Sequence, residues 1–344
     1  MAADIAEQPA GYARLLAPDQ ADAIARVAAA VAACRPRHVV FTARGTSDHA
    51  ALYGAYLSEI RLGLPAGLAS PSVVTVFGAR PDFSAALVVA VSQSGGSSDL
   101  TEVVRQARDS GALTVAVTNT ADSPLAAAAE LTVDIAAGHE RAVAATKTYT
   151  AELLALLMLV EGVRAGDGRL PAAERAALAA LPELAAQVLG DPAPAQLALR
   201  YRFAAQLVTT GRGYAYPTAR EAALKLMETS YLPALAFSGA DLLHGPLAMA
   251  DADIPVLALV GSGPGGRSMR ELLPRLAERG ADLVTVGSAE VDGVPARLAV
   301  PQVDERHAPL LDILPLQRLA LALALARGEN PDAPRGLAKV TSTR

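Results

Sequence analysis

The sequence predicts an α/β protein of two tandem, doubly wound parallel-sheet domains followed by a C-terminal tail. Three observations carry this. The chain has 344 residues, 52% of them hydrophobic and 19% charged, which is enough for two buried cores. Apolar runs of about five to seven residues end in glycine-rich loops and alternate with helical stretches, the signature of parallel strands joined by crossover helices. The whole pattern then occurs twice, one copy about 169 residues after the other.

In chain order, residues 1–20 form an N-terminal segment and 21–165 the first domain. That domain begins with a helix and the strand Val39-Val-Phe-Thr-Ala-Arg-Gly45. Ala85–Val91 is the second strand, ending in a Ser/Gly loop. The helix Leu100–Gly111 and the strand Leu113–Val117 follow. Residues 166–195, with several Gly and Pro and a short helix, form the connector. The second domain, 196–328, repeats the order: Leu207–Gly213, Ile254–Val260, Met269–Gly280 and Leu283–Val286. The paired glycines Gly111 and Gly280 are 169 residues apart (280 − 111), as are Val117 and Val286 (286 − 117). Residues 329–344, rich in Pro and polar side chains, are the tail. Doubly wound sheets place their ligand loops at the carboxyl ends of the strands, so those loops are where chemistry is sought.

Composition excludes several classes. A formal charge of −5 and a pI near 5.6 offer no basic field for a nucleic-acid backbone. One cysteine, Cys34, permits neither a disulfide framework nor a multi-thiolate zinc site. Mean hydropathy is +0.29, but the apolar runs Leu153–Val160 and Leu319–Ala326 stop at Glu161 and Arg327, short of a membrane span. The N-terminus carries Asp4 and Glu7 where a signal peptide would be basic and then apolar. The expectation is a cytoplasmic, soluble protein with no nucleic-acid or membrane partner. Of 30 basic residues only Lys147, Lys225 and Lys339 are lysines. Arginine therefore serves as the general cation, and each lysine is either a chance survivor or stands where an amine chemistry that Arg lacks would matter.

Val91-Ser-Gln-Ser-Gly-Gly-Ser-Ser-Asp99 joins a buried strand to a helix. Ser92, Gln93, Ser94, Ser97 and Ser98 supply donors beside a helix N-terminus, whose free N–H groups and dipole favour a phosphoryl group. Ser97, Ser98 or Asp99 could instead cap the helix, but capping accounts for one residue and not for four serines. No GxxxxGK[ST] or GxGxxG pattern occurs there, which argues against a nucleotide triphosphate or dinucleotide. The counterpart one repeat later, Gly261-Ser-Gly-Pro-Gly-Gly266, has lost most hydroxyls. Thr46 and Ser47, after the first strand, are either further contacts or helix caps.

Pro217–Tyr231 reads as a helix in which Thr218 and Glu221 have capping-box spacing. Glu221, Lys225 and Glu228 share one face, either a solvated ladder or, in so apolar a setting, a desolvated proton-transfer group. His244 sits at a Gly-Pro turn, where a structural role competes with catalysis. His38, His49, His139 and His307 lack HxxxH or HExxH spacing and no GxSxG elbow occurs, so neither metal nor serine-hydrolase chemistry has support.

Arg44-Gly-Thr-Ser47, Ser92-Gln-Ser-Gly95, Ala145-Thr-Lys147, Glu221-x-Ala-Leu-Lys-Leu-x-Glu228, His244-Gly-Pro-Leu247 and Leu337-Ala-Lys339 occur in one order. Together they resemble the double SIS (sugar isomerase) family, whose domains are flavodoxin-like. The resemblance is greatest to the isomerase half of glucosamine-6-phosphate synthase and to stand-alone amino-sugar-phosphate deaminases. It implies that Ser47, Ser92, Gln93, Ser94 and Ser97 hold a sugar phosphate and that Glu228 moves a proton between C1 and C2. It further implies that His244 assists ring opening from a neighbouring subunit, hence a homodimer, and that Lys339 closes over the substrate from the tail. Lys147 and Lys225 also match family positions, and with Thr46 they complete the expected substrate-binding set. No metal or redox cofactor is required.

Synthases carry an N-terminal glutaminase whose nucleophile is a cysteine at the chain start; this chain begins Met-Ala-Ala and is expected not to use glutamine. Gly96-Ser97 and Met227 stand where the family often has Glu-Thr and a lysine, which leaves the sugar open. The expected reaction converts an amino-sugar 6-phosphate to a ketose 6-phosphate and ammonia, with glucosamine 6-phosphate first among substrates. Phosphosugar isomerisation and fructosamine-6-phosphate deglycation are the alternatives within the enzyme class. A phosphosugar-sensing regulatory module is the alternative outside it.

Overall fold

The apolar runs of the sequence become the centres of two parallel sheets in a computed structural model of the chain, which describes residues 1–294 and 296–339. Tail residues 340–344 lie outside the described set. The first half runs α1 (Ala2–Ala6), α2 (Gln8–Leu15), α3 (Pro18–Cys34), β1 (His38–Thr42), α4 (Thr46–Leu57), β2 (Ala66–Leu68), α5 (Pro71–Thr75) and β3 (Ala86–Ser92). It continues through α6 (Ser98–Asp109), β4 (Leu113–Thr118), α7 (Pro124–Ala128), β5 (Leu131–Asp134) and α8 (Lys147–Ala165). Then come α9 (Ala172–Ala179), α10 (Leu181–Gly190), α11 (Ala193–Tyr201), β6 (Leu207–Gly211), α12 (Ala215–Ser230), β7 (Ala234–Ser238) and α13 (Gly239–Leu243). The last elements are β8 (Pro255–Leu259), α14 (Pro264–Glu278), β9 (Asp282–Gly287), β10 (Ala296–Ala299) and α15 (Ala308–Ala326).

The chain divides into two compact units. The N-terminal unit holds residues 8–140 and 147–182 together with 338 and 339, and the C-terminal unit holds 1–7, 141–146 and 183–337. The first seven residues therefore belong with the second repeat. The segment 166–195 contains α9, α10 and the start of α11 where a single short helix was expected. Its Ala/Leu-rich sequence propagates helix, and its Gly and Pro residues act only as punctuation.

In the N-terminal unit the strand order is β2-β1-β3-β4-β5, all parallel. β3, Ala-Leu-Val-Val-Ala-Val-Ser, is buried along all seven residues, as a strand covered on both faces must be. Leu100 and Val104 of α6 and Leu125 of α7 pack with Ala90 and Ala116 of the sheet. The helices α3, α4 and α8 pack with one another and with β1, β3, β4 and β5. α8 is buried almost along its full length, with Leu153, Leu154, Leu156 and Leu157 at 0% exposure; each such side chain contributes about 1.5–3 kcal/mol of transfer free energy.

The C-terminal unit repeats the topology as β7-β6-β8-β9-β10, again all parallel. Val256 and Ala258 of β8 pack with Met269, Leu272, Leu273 and Leu276 of α14. α12 packs against β6 and β7, and α15 lies against α11 and α12. By length and composition α15 could cross a membrane, yet 72% of that stretch is buried inside the protein. Short strands escaped the sequence reading for one reason: β2, β5, β7 and β10 sit at or near sheet edges, partly exposed, and show no continuous apolar run.

Candidate active site

In a sheet of order β2-β1-β3-β4-β5 the chain winds one way from β1 to β2 and the other way from β3 onward, so a crevice opens between β1 and β3 at their carboxyl ends. The chain just past β1 carries Thr46 and Ser47 at the start of α4, and the end of β3 and its loop carry Ser92–Ser97. The topology thus brings together both hydroxyl-rich segments of the first repeat. Ser92 Oγ accepts from the Gly95 N–H at 3.2 Å, and Ser94 Oγ from the Gly96 N–H at 3.3 Å. Ser97 occupies the N-cap position of α6, but its hydroxyl caps nothing. The capping alternative is therefore not realised by Ser97; Asp99 takes part of that role, its Oδ1 accepting from the Leu100 N–H in the first turn of α6 at 2.9 Å. Gly95 has φ +61°, and a Cβ there would lie 2.1 Å from Ser123 Oγ, so only glycine fits this loop. Gln93 lines a cavity of about 500 Å³ together with Asn119, Thr120, Asp134, His139 and Glu140.

Nor do Thr46 and Ser47 act as caps: Gly45 holds the N-cap position of α4. The buried Ser47 Oγ donates to Glu152 Oε1 at 2.8 Å. Glu152 is a residue that sequence reasoning missed; a carboxylate inside the apolar run of α8 was its only signal. Arg44 donates to Asp99 at 2.9 Å, which holds the start of α4 and the first turn of α6 together. Lys147 is buried at the start of α8, its Nζ donating to the His139 carbonyl at 2.7 Å and its N–H to Glu140 at 3.0 Å.

The C-terminal unit places its titratable groups differently. α12 begins at Ala215, three residues before Thr218, so the expected capping box does not form. Thr218 lies inside the helix, its buried hydroxyl without a hydrogen-bond partner. Glu221 turns instead to Lys225, 3.3 Å away, and Lys225 Nζ also donates to Glu228. Lys225 is 1% exposed and Glu221 0%, whereas Glu228 is 21% exposed. The stripe is a buried carboxylate–ammonium–carboxylate chain with one end at the surface, not a solvated ladder. A crossover helix runs back against its strand, so Glu228 lies at the end of α12 away from the switch point of its own sheet.

That switch point is filled from within. A Cβ at Gly263 would lie 2.4 Å from Glu305 Oε2 and one at Gly265 2.8 Å from Oε1. The Gly266 N–H, in the first turn of α14, donates to Glu305 Oε1 at 3.1 Å. The anion site of the second repeat is thus occupied by the protein's own carboxylate. Burial and the neighbouring Glu305 charge push the carboxyl of Asp312, on α15, up to about 8.

His244 ends α13 and is exposed on the described chain, its N–H donating to the Asp241 carbonyl at 3.0 Å. Lys339 is exposed in the tail, which has no helix or strand from Glu329 to Lys339. The structure therefore places Thr46 and Ser47 after β1 and Ser92–Ser97 after the adjacent β3, with Gln93 lining a cavity toward the ends of β4 and β5, and Lys225 with Glu228 on one helix.

Comparison with known proteins agrees with this architecture. The SIS domain model matches residues 34–162 and 201–327. The chain is 34% identical to the isomerizing glutamine–fructose-6-phosphate aminotransferase of Pyrobaculum aerophilum over 99% of this chain and 57% of that protein. It spans about half the length of the curated relatives it matches. Among solved structures, a provisionally assigned phosphosugar isomerase from Silicibacter pomeroyi DSS-3 superposes with TM-score 0.87 at 37% identity, covering 96% of this chain and 99% of that one. The C-terminal domain of glucosamine-fructose-6-phosphate aminotransferase from Francisella tularensis superposes with TM-score 0.83 at 26% identity, covering 96% and 97%. With a match on each half and the same five-strand topology in both units, the chain belongs to the SIS domain family as a tandem pair of that domain.

Proposed function

We propose that the protein deaminates an amino-sugar 6-phosphate, with glucosamine 6-phosphate the first candidate, giving a ketose 6-phosphate and ammonia. The observation that carries this reading is the Glu221–Lys225–Glu228 chain, a proton-accepting carboxylate held at the surface end of a buried ion-pair network. Ser47, Ser92, Gln93, Ser94 and Ser97 take the phosphate, with Thr46 beside them and Lys147 bracing the His139 carbonyl next to Gln93's cavity. His244 assists ring opening, as a partner subunit's contribution in a homodimer. Glu228 removes the proton from C2 of the open-chain aldose and returns it at C1 through an enolamine. Lys225, donating to Glu228, orients its carboxylate. The product of this step is the C2 imine; water adds to it and ammonia leaves, so substrate plus water balances ketose plus ammonia. Lys339 closes over the substrate from the tail.

The test is ammonia release from purified protein given glucosamine 6-phosphate, galactosamine 6-phosphate or a fructosamine 6-phosphate. Ammonia stoichiometric with fructose 6-phosphate from the first supports the deaminase. Release from another substrate alone keeps the mechanism and changes the sugar. Aldose–ketose interconversion without ammonia selects the isomerase, a reading favoured by the 37% identity to the Silicibacter pomeroyi protein. Phosphosugar binding with no turnover of any kind selects the sensor.

A further inference from the structure

The residue that ends α12, Tyr231, adopts φ 51° and ψ 31°, the left-handed region in which glycine is the usual helix terminator. An aromatic side chain held there carries a backbone penalty and persists only where its surroundings fix it. Those surroundings come from the tail. The Arg335 guanidinium carbon lies 3.7 Å from the centre of the Tyr231 ring, and the Arg335 backbone N–H donates to Tyr231 Oη at 2.8 Å. Stacking and hydrogen bond act on the same pair, one through a side chain and one through the backbone. Pro331 and Pro334, just upstream, are buried and limit the tail's freedom further, whereas residues 335–339 are all exposed. Tyr231 lies three residues beyond Glu228, and Arg335 four residues before Lys339.

We propose that Tyr231 is a positioning residue which anchors the tail, through Arg335, to the end of the helix that carries Glu228. The tail segment bearing Lys339 is then delivered from a fixed point instead of from a free chain end. At no more than about 3.6 Å per residue, four residues from the anchor restrict Lys339 to within about 14 Å of Arg335. The strained backbone at Tyr231 is retained because it aims the ring at Arg335. The argument rests on the roles given to Glu228 and Lys339 under Proposed function, but the anchor itself does not.

The experiment compares full-length wild type with Tyr231→Phe, Tyr231→Gly and Arg335→Ala. It uses hydrogen exchange of the 333–339 segment, and kcat and KM for the amino-sugar phosphate turned over by wild type. Tyr231→Phe keeps the ring and loses the hydrogen bond; Tyr231→Gly relieves the backbone and loses both contacts, so it folds at least as readily. The expected result is exchange at the Arg335 amide about fivefold faster in Tyr231→Phe and at least tenfold faster in Tyr231→Gly. kcat should fall about tenfold in Tyr231→Gly and Arg335→Ala while KM stays within about twofold, since the phosphate is held elsewhere, with Tyr231→Phe restoring most of kcat. Unchanged exchange in Tyr231→Gly overturns the anchor. Faster exchange with kcat intact overturns the positioning role. If wild type turns over no phosphosugar, the functional reading and the positioning role fail together, and the exchange data alone still decide whether the anchor exists.

Discussion

Replacing Gly95 by alanine tests the proposed phosphate loop through its tightest point. A Cβ there would lie 2.1 Å from Ser123 Oγ and 2.4 Å from Ser123 Cβ, at a backbone φ of +61°. The left-handed conformation costs an alanine about 1–2 kcal/mol and the forced overpacking about 1–3 kcal/mol, so Gly95→Ala should destabilise by about 2–5 kcal/mol. Ser123 also caps α7, its Oγ accepting from the Ala126 N–H at 3.3 Å. A Ser→Gly change at an N-cap costs only a few tenths of a kcal/mol, so Ser123→Gly is a mild relief mutation. The double variant should recover the overpacking share and keep the conformational share, about 1–2 kcal/mol. Urea unfolding followed by far-ultraviolet circular dichroism reads stability in a chain with no tryptophan. Calorimetric titration with inorganic phosphate reads the loop. Gly95→Ala as stable as wild type, or a double variant no better than the single, would refute the steric reasoning.

Ser97→Ala should leave stability within about 0.5 kcal/mol, because the hydroxyl caps nothing, and weaken phosphosugar binding about fivefold or more; lost stability with binding intact would make Ser97 a cap after all. Asp312→Asn probes the buried carboxyl beside Glu305. Its folded value of about 8 lies above the ordinary 3.8, so its contribution to stability is fully present below about pH 4 and is lost as pH rises through 8. A rise from 3.8 to about 8, at 1.36 kcal/mol per tenfold, bounds the change at about 6 kcal/mol, and Asp312→Asn should flatten this slope in unfolding measurements between pH 5 and 9. An equally steep slope in the variant would place the titrating group elsewhere.

The repeat was legible because strands buried on both faces, β3 and β8 above all, must be continuous apolar runs, and each ends in a glycine loop that holds its register in the chain. The hydroxyl-rich crevice was legible because its hydroxyls cluster in sequence at the ends of two such strands. Two features were not. The Thr218–Glu221 pair carried a capping-box pattern, but its helix starts a turn earlier and Glu221 is claimed by Lys225, an ion pair worth more in a buried setting than a cap. The loss of hydroxyls at Gly261–Gly266 looked like simple decay. Its compensation, Glu305, lies 39 residues away from Gly266, a distance across which no local pattern speaks.

Turnover in deuterium oxide decides whether Glu228 carries the proton between C1 and C2. Wild type given glucosamine 6-phosphate should produce fructose 6-phosphate with deuterium at C1, seen by nuclear magnetic resonance, because Glu228, 21% exposed, exchanges the proton taken from C2 with solvent before C1 is protonated. Glu228→Gln should bind the same phosphosugar with affinity close to wild type and produce neither ammonia nor deuterated ketose. Deuterium incorporation by Glu228→Gln at the wild-type rate would contradict the claim and move the proton transfer to another group.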